Sequence, residues 1–234
     1  MGAHAGPVRA VIFDMDGLLA DTVPIWRRVG DQLFADLGTD ISELSASGVA
    51  VGMSVGDAIA LFSSYAGIPA DECAELERRV VQRVVDAVAS DAELMPGALG
   101  ALDFCERRAL AVALASGSTP PIIDAVLSRF GLADRFAAVC SAIDEPFGKP
   151  HPSVFLTAAA KLGEPPSACV VLEDAVDGCV AAKAARMRVI AVPPHGALAS
   201  DPRYAIADLV VPSLEQLDGE EALAVMGLDR VATD

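Results

Sequence analysis

Two acidic residues follow the first apolar run of the chain at a spacing that could support catalysis. In the stretch VIFDMDGLLADT, residues 11–22, Asp14 ends the run and Asp16 comes two positions later. Gly17 follows, and glycine allows a turn that other residues resist. Because the chain can turn there, both carboxylates could reach one substrate. One acid could then attack an electrophile while the other exchanges protons.

Polar residues also follow three other apolar runs. Ser116 and Gly117 end the stretch LAVALASG, Lys149 lies in FGKPHP, and Glu173 and Asp174 end VVLED. In open α/β sheets, ligands bind in the crevice beyond the carboxyl ends of the strands. We therefore expect the residues of all four segments to line one crevice.

The residue types predict a phosphoryl-transfer site that holds a metal ion. Carboxylates that converge without positive partners repel one another, and a hard divalent cation removes this repulsion. A ligand set made of oxygen atoms favours Mg²⁺. Lys149 would supply a point charge to a phosphoryl group, and Ser116 with Gly117 would let hydroxyl and N–H groups approach its oxygens. Asp14 would form an aspartyl phosphate, while Asp16 would protonate the leaving oxygen and later deprotonate water.

Strands and helices alternate over most of the chain, which predicts the scaffold of this site. Short β-branched or apolar runs predict strands at 8–13, 110–115, 137–141, 168–172, 188–192 and 208–211. Between them lie predicted helices at 97–109, 120–130, 152–162 and 176–186, and prolines mark the starts of the first three. This order is typical of an α/β fold with a doubly wound parallel sheet, a Rossmann-like core.

Residues 22–94 interrupt the alternation and contain no good strand candidate. Their apolar spacing predicts helices at 23–38, 54–66 and 71–90. We therefore predict a core domain from residues 1–21 and 95–234, which carries the catalytic site, and a small inserted helical domain from residues 22–94. Within the insertion, Asp57 either faces substrate hydroxyls or supports a helix start, and Trp26 either packs or stacks on a sugar ring.

Composition limits the partners and the compartment. The 234 residues carry a formal net charge of −16, which gives no general attraction for nucleic acid or an anionic membrane surface. The five cysteines form no C-x-x-C pair and predict reduced thiols. Neither a signal peptide nor a membrane-spanning run is visible, so we expect a cytoplasmic location. The sequence shows no heptad pattern, and a monomer acting on a small phosphorylated metabolite is expected.

The same residues carry a family resemblance that covers nearly the whole chain. The segments DMDG at 14–17, ASGS at 115–118, GKPHPSVF at 148–155 and LEDAVDG at 172–178 closely resemble the haloacid dehalogenase superfamily, within its β-phosphoglucomutase-like group. The resemblance implies a Mg²⁺-dependent aspartyl-phosphate mechanism and identifies the helical insertion with a cap domain. It further implies the following roles: Asp14, Asp174, Glu173 and the backbone carbonyl of Asp16 at the metal, and Ser116, Lys149 and the backbone N–H of Met15 at the phosphate.

Some branches of the superfamily fit this chain poorly. Asp16 argues against C–Cl cleavage, because dehalogenases lack that second acid. Phosphonatases of similar build need a Schiff-base lysine, and the lysines of this chain stand only at 149, 161 and 183. Mutases place cationic side chains where this chain has Val55 and Trp26.

A phosphatase is therefore favoured, similar to the group that acts on hexitol phosphates and 2-deoxyglucose 6-phosphate. A β-phosphoglucomutase-like sugar-phosphate mutase and a non-catalytic sugar-phosphate binding module remain the alternatives. The sequence does not identify which sugar or polyol phosphate is the substrate, because the side chains of the cap set that choice.

Overall fold

A parallel six-stranded sheet forms the centre of the protein. The computed structural model describes residues 6–50, 53–194 and 201–229. Each neighbouring pair of strands runs parallel, in the order β3-β2-β1-β4-β5-β6. The strands are β1 Ala10–Phe13, β2 Ala111–Ser116, β3 Ala138–Ser141, β4 Cys169–Glu173, β5 Arg188–Ala191 and β6 Leu209–Val210. The six predicted strands are all present, and the predicted α/β fold class is confirmed.

The central strands are buried on both faces, as expected of a parallel sheet covered by helices. Ile12 of β1 pairs with Ala113 of β2 and with Val171 of β4, and all three side chains are fully buried. Side chains alternate between two core clusters along β1, with Val11 in one and Ile12 in the other. The chain proceeds from β1 to one side of the sheet and returns to the other side at β4. This reversal places a ligand crevice beyond the ends of β1 and β4.

Nine α-helices occur in the described part of the chain. Four lie within the predicted insertion, residues 22–94: α1 Val23–Ala35, α2 Ser42–Ala46, α3 Val55–Ala66 and α4 Cys73–Asp91. The others are α5 Ala98–Arg107, α6 Pro120–Phe130, α7 Ser153–Leu162, α8 Val176–Ala184 and α9 Glu220–Met226. A 3-10 helix spans Pro202–Ile206. No helix in the described ranges has both the length and the apolar character that a membrane crossing requires.

Three of the inserted helices, α1, α3 and α4, bury an apolar face, and α4 packs against both α1 and α3. In α4, the buried positions are Leu76, Val80, Val84 and Val88, the four-residue repeat visible in the sequence. The rings of Phe34 in α1 and Phe62 in α3 meet edge to face with centroids 5.9 Å apart. The helical character predicted for this insertion is therefore observed, while its division from the core as a separate domain stays a prediction.

Two helices were not predicted, and three helices, α1, α5 and α8, end two or three residues earlier than expected. The predicted segment 23–38 is helical to Ala35, and Gly38 then adopts a positive φ of 82°. The helix α2 has five residues and buries none of them, so it leaves no apolar period in the sequence. The helix α9 does carry sequence signals, namely two acids in its first turn and Gly227 at its end, but it is short.

Candidate active site

The carboxyl ends of the central strands bring the predicted acidic residues together. Asp14 follows β1, and its N–H donates to the carbonyl of Leu172 at 3.0 Å, so the ladder with β4 extends to the site. Glu173 ends β4 and Asp174 follows it. All three carboxylates are buried, and each offers an oxygen within 4.8 Å of the others. The crevice predicted for these acids is therefore where the structure places them.

Lys149 reaches the same cluster from the loop before α7. Its Nζ lies 2.6 Å from Oδ1 of Asp14 and 2.8 Å from Oε2 of Glu173, and its side chain is 6% exposed. The ammonium also lies 4.9 Å from the centroid of the Phe155 ring. These contacts fix the cation beside the carboxylate that would attack the substrate.

Burial and mutual repulsion shift the proton affinities of the cluster. Burial raises the pKa of Asp14 to about 8, the charge of Glu173 adds to this effect, and Lys149 opposes it. Burial also raises the pKa of Asp174 well above its ordinary value, with the charge of Asp14 as the next cause. Three carboxylates therefore share one ammonium, which leaves an excess of negative charge in a buried place. A hard divalent cation with oxygen ligands fits this donor set.

Small residues and a tyrosine support the metal-binding candidates. The hydroxyl of Tyr204 donates to the backbone carbonyl of Asp174. A Cβ added to Gly178 would lie 2.0 Å from Oε2 of Glu173, and one added to Gly17 would lie 2.3 Å from Oδ2 of Asp174. A larger residue at either position would overlap a carboxylate, so both sites require glycine. Gly17 also has a φ of +83°, which favours glycine.

Asp16 is held by donors from two directions. Its Oδ1 accepts from the hydroxyl of Thr22 at 2.6 Å and from the indole N–H of Trp26 at 3.2 Å. Its Oδ2 accepts from Ser116 at 3.0 Å and from Ser118 at 2.8 Å. Ser116, predicted as a phosphate ligand, thus contacts the second acid directly. The hydrogen bond from Trp26 to Asp16 was not predicted, because the sequence suggested only packing or stacking on a sugar for this side chain.

Met15 and Gly117 can offer a ligand only their main chain. The side chain of Met15 is fully buried, and its carbonyl accepts from the N–H groups of Leu19 and Ala20. Gly117 lines the cavity, and a Cβ built on it would meet no described heavy atom within 4 Å. The space beside Gly117 is therefore open to a ligand rather than filled by protein.

A cavity of about 340 Å³ connects the acidic cluster to the inserted helices. Its wall includes Asp14, Asp16, Lys149 and Asp174 on the side of the sheet, and Trp26, Arg27, Phe34, Val55 and Phe62 on the side of the insertion. Asp57 is exposed and absent from the described wall. Its N–H and carboxylate both bond with Ser54 at the start of α3, so its observed contacts support a helix start.

The residues missed in the sequence are those that hold the acids in place. Thr22, Ser118 and Tyr204 each bond to a predicted site residue. In the sequence, Thr22 lies close to the predicted acid Asp16, and Ser118 lies close to Ser116 at the end of a predicted strand. Tyr204 lies 30 positions from Asp174, and no local pattern connects the two.

Comparison with known proteins identifies related chains. A family model described as haloacid dehalogenase-like hydrolase matches residues 8–186. Hexitol phosphatase B of Escherichia coli (strain K12) is 40% identical over 216 residues, which cover 92% of this chain and 97% of that protein.

Solved structures of similar fold cover nearly the whole chain. The structure of CbbY from Rhodobacter sphaeroides in complex with phosphate has a TM-score of 0.79 at 27% identity, and covers 94% of this chain and 100% of that one. The β-phosphoglucomutase of Clostridium difficile has a TM-score of 0.80 at 25% identity, and covers 94% of this chain and 97% of that one.

Proposed function

The chain belongs to the haloacid dehalogenase-like hydrolases, and we propose that it is a Mg²⁺-dependent phosphatase of small phosphorylated sugars or sugar alcohols. The similarity to hexitol phosphatase B supports this class of substrate. The observation that carries the proposal is the buried cluster of Asp14, Glu173 and Asp174, in which Lys149 pairs with Asp14 and with Glu173. Such a cluster suits the binding of a cation and a phosphoryl group together.

In the proposed reaction, a carboxylate oxygen of Asp14 attacks phosphorus and the bond from phosphorus to the ester oxygen breaks. Asp16 gives its proton to the departing oxygen, and the alcohol leaves. Asp16, now a carboxylate, takes a proton from water as the water oxygen attacks the aspartyl phosphate. The bond between Asp14 and phosphorus then breaks, which releases inorganic phosphate and restores both acids.

The remaining residues bind and orient the reacting groups. Lys149 holds Asp14 and supplies positive charge to the phosphoryl oxygens. Ser116 and the main chain of Met15 and Gly117 would donate to those oxygens. Asp14, Asp174, the carbonyl of Asp16 and, directly or through water, Glu173 would hold Mg²⁺. When bound, this ion neutralises charge between the attacking carboxylate and an anionic phosphate.

A sugar-phosphate mutase is the second candidate function, and two observations favour it. The fold resembles that of a β-phosphoglucomutase, and Arg27 lines the cavity from the inserted helices, where a cation could hold a second phosphate. Against it, the wall at Val55 is apolar and cannot neutralise a phosphate. A mutase also requires a bisphosphate primer, whereas a phosphatase releases inorganic phosphate without one.

The deciding experiment measures phosphate release from a panel of phosphomonoesters with Mg²⁺, using wild-type protein and Asp14→Asn. We expect turnover by the wild type, and a loss of at least about 10³-fold in the variant because the amide is not a nucleophile. Binding of the substrate to the variant, measured by calorimetry, should survive. Near-normal turnover by Asp14→Asn would contradict the assigned role, and binding without release by the wild type would indicate the binding module instead.

A further inference from the structure

The indole of Trp26 makes a polar contact with the candidate acid and base that the proposed reaction does not yet use. Its Nε1 lies 3.2 Å from Oδ1 of Asp16, and its ring lines the cavity from the first turn of α1. We propose that Trp26 is a positioning residue, which orients the carboxyl group of Asp16 for proton transfer to the leaving oxygen. This inference rests on the proposed phosphatase function.

The two oxygens of Asp16 have chemically different partners. Oδ2 accepts from the hydroxyls of Ser116 and Ser118, whereas Oδ1 accepts from a hydroxyl, that of Thr22, and from the indole. A hydroxyl can donate or accept a hydrogen bond, but an indole N–H can only donate. Among these four partners, only the indole cannot reverse its hydrogen bond. It therefore favours an oxygen that accepts over one that carries the proton.

This difference selects the oxygen that carries the transferred proton. While Asp16 holds the proton for the leaving group, its unprotonated oxygen is the stronger acceptor, so the indole N–H on Oδ1 favours the proton on Oδ2. The serine hydroxyls on Oδ2 can reverse their direction and accommodate it. Without the indole N–H, either oxygen could carry the proton, and a fraction of the carboxyl groups would present the wrong one to the ester.

The effect of the leaving group on the rate of hydrolysis distinguishes a positioning role of Trp26 from a packing role. Expulsion of an alkoxide needs a proton, whereas p-nitrophenolate leaves readily without one. We therefore compare Trp26→Phe with wild type on a sugar-alcohol phosphate and on p-nitrophenyl phosphate. The value of kcat/KM, which reports the steps up to expulsion of the leaving group, should fall about tenfold for the alkyl ester and less than about twofold for the aryl ester.

A neighbouring variant serves as the packing control. Ile25 is a buried apolar residue of the same helix turn, and it has no part in the proposed chemistry. Ile25→Val should change the two kcat/KM values by the same factor. An equal fall for both esters in Trp26→Phe would overturn the proposal, whereas hydrolysis of neither ester by the wild type would instead refute the proposed phosphatase function.

Fluorescence tests the contact without any turnover. Trp26 is the single tryptophan of the chain, so the emission of the protein reports its surroundings alone. Asp16→Ala removes the acceptor and should shift the emission maximum, whereas Asp71→Asn, at an exposed acid of the insertion, should leave it unchanged. Identical emission from wild type and Asp16→Ala would overturn the proposed hydrogen bond.

Discussion

At the scale of single residues, protons and the proposed divalent cation would compete for the same buried oxygens. Asp14, Glu173 and Asp174 share the ammonium of Lys149, and burial makes full ionisation of all three costly. A proton can relieve the excess negative charge, and so can a metal ion. Metal binding by carboxylates displaces protons, so its strength should rise with pH.

This competition predicts how pH changes the thermal stability of the metal-free protein. The pKa of Asp14 rises from 3.8 to about 8 in the folded state, so the folded state binds more protons than the unfolded state between those values. The free energy of unfolding therefore falls as pH increases through this window. Lys149 adds no slope there, because its pKa is raised above an ordinary value of 10.5 and it is charged in both states.

Calorimetry with EDTA or with Mg²⁺ measures this effect. We expect Mg²⁺ to raise the melting temperature by more at pH 8.5 than at pH 5.5, with a difference of several degrees. In the metal-free protein, Tm should fall less steeply with increasing pH for Asp14→Asn than for the wild type, because the variant lacks one buried titrating group. A Mg²⁺ effect that is larger at acidic pH would contradict this account.

Tyr204 should tune the affinity of the site for the metal ion. Its hydroxyl donates to the backbone carbonyl of Asp174, and Tyr204→Phe removes that bond while keeping the ring. We expect the Mg²⁺ concentration for half-maximal activity to rise about tenfold, as is usual for residues that orient metal ligands. Activity at saturating Mg²⁺ should change little. An unchanged Mg²⁺ requirement would show that the bond does not orient Asp174.

The sequence identified the acids and Lys149 because strand ends and chemical type are both visible in it. Asp14 follows an apolar run directly, and its position at the crevice follows from the parallel sheet. The partner of Ser116 was not predictable in this way, because Asp16 lies 100 positions away and the contact depends on side-chain direction. The assigned catalytic and binding roles stay predictions until the variants are measured.

At the scale of elements, apolar runs bounded by polar or turn residues were sufficient to predict each of the six strands in the described residues. The predicted run 188–192 differs from β5 at Arg188–Ala191 by one residue. Packing could not be predicted in the same way, as Arg188 shows. It is a buried arginine in a strand, and its guanidinium donates to the carbonyl of Met226 at 3.3 Å. This contact with α9 has no signal in the local sequence.

The start of α8 is built around the space that Gly178 leaves. A Cβ there would lie 2.0 Å from the carboxylate of Glu173, which also binds Lys149. Gly178→Ala must therefore displace Glu173, and we expect a loss of about 1–3 kcal/mol in the free energy of unfolding. Because Lys149 would lose one of its two carboxylate partners, activity should fall at least about tenfold.

A second helical glycine provides the matched control for this variant. No described heavy atom lies within 4 Å of a Cβ built on Gly100 in α5. Gly100→Ala should therefore raise the free energy of unfolding by about 0.5–1 kcal/mol through helix propensity, with unchanged activity. Denaturant unfolding and phosphate release measure both variants. Equal effects of the two substitutions would show that Glu173 does not require Gly178.

At the scale of the whole molecule, the inserted helices contact the core through α4, which packs on α6. Two chain segments connect the insertion to the core, and they bond to each other where the N–H of Asp21 donates to the carbonyl of Glu93 at 2.9 Å. The cavity lies between this insertion and the strand ends, so the position of the helices shapes the substrate site. The expected monomer and cytoplasmic location stay predictions.

Arg129 of α6 should be a main anchor of the insertion. Its guanidinium donates to the carbonyls of Ala89 at 2.7 Å and Ser90 at 3.0 Å, in the last turn of α4. These carbonyls lack partners within the helix, and a cation is favourable at this end of the helix dipole. We expect Arg129→Met to lower the free energy of unfolding by about 1–2 kcal/mol, and Tm by about 2–6 °C.

The control for Arg129→Met is an arginine of α4 whose ion pair lies within its own helix. Arg78 pairs only with the nearby Glu75 among the described residues, and its side chain is 73% exposed. An exposed pair of this kind contributes little, so Arg78→Met should change the free energy of unfolding by less than about 0.5 kcal/mol. Limited proteolysis should cut near residues 92–94 faster in Arg129→Met alone, because the end of α4 loses its tie to the core. Equal melting temperatures and cleavage rates in the two variants would mean that Arg129 does not hold the insertion.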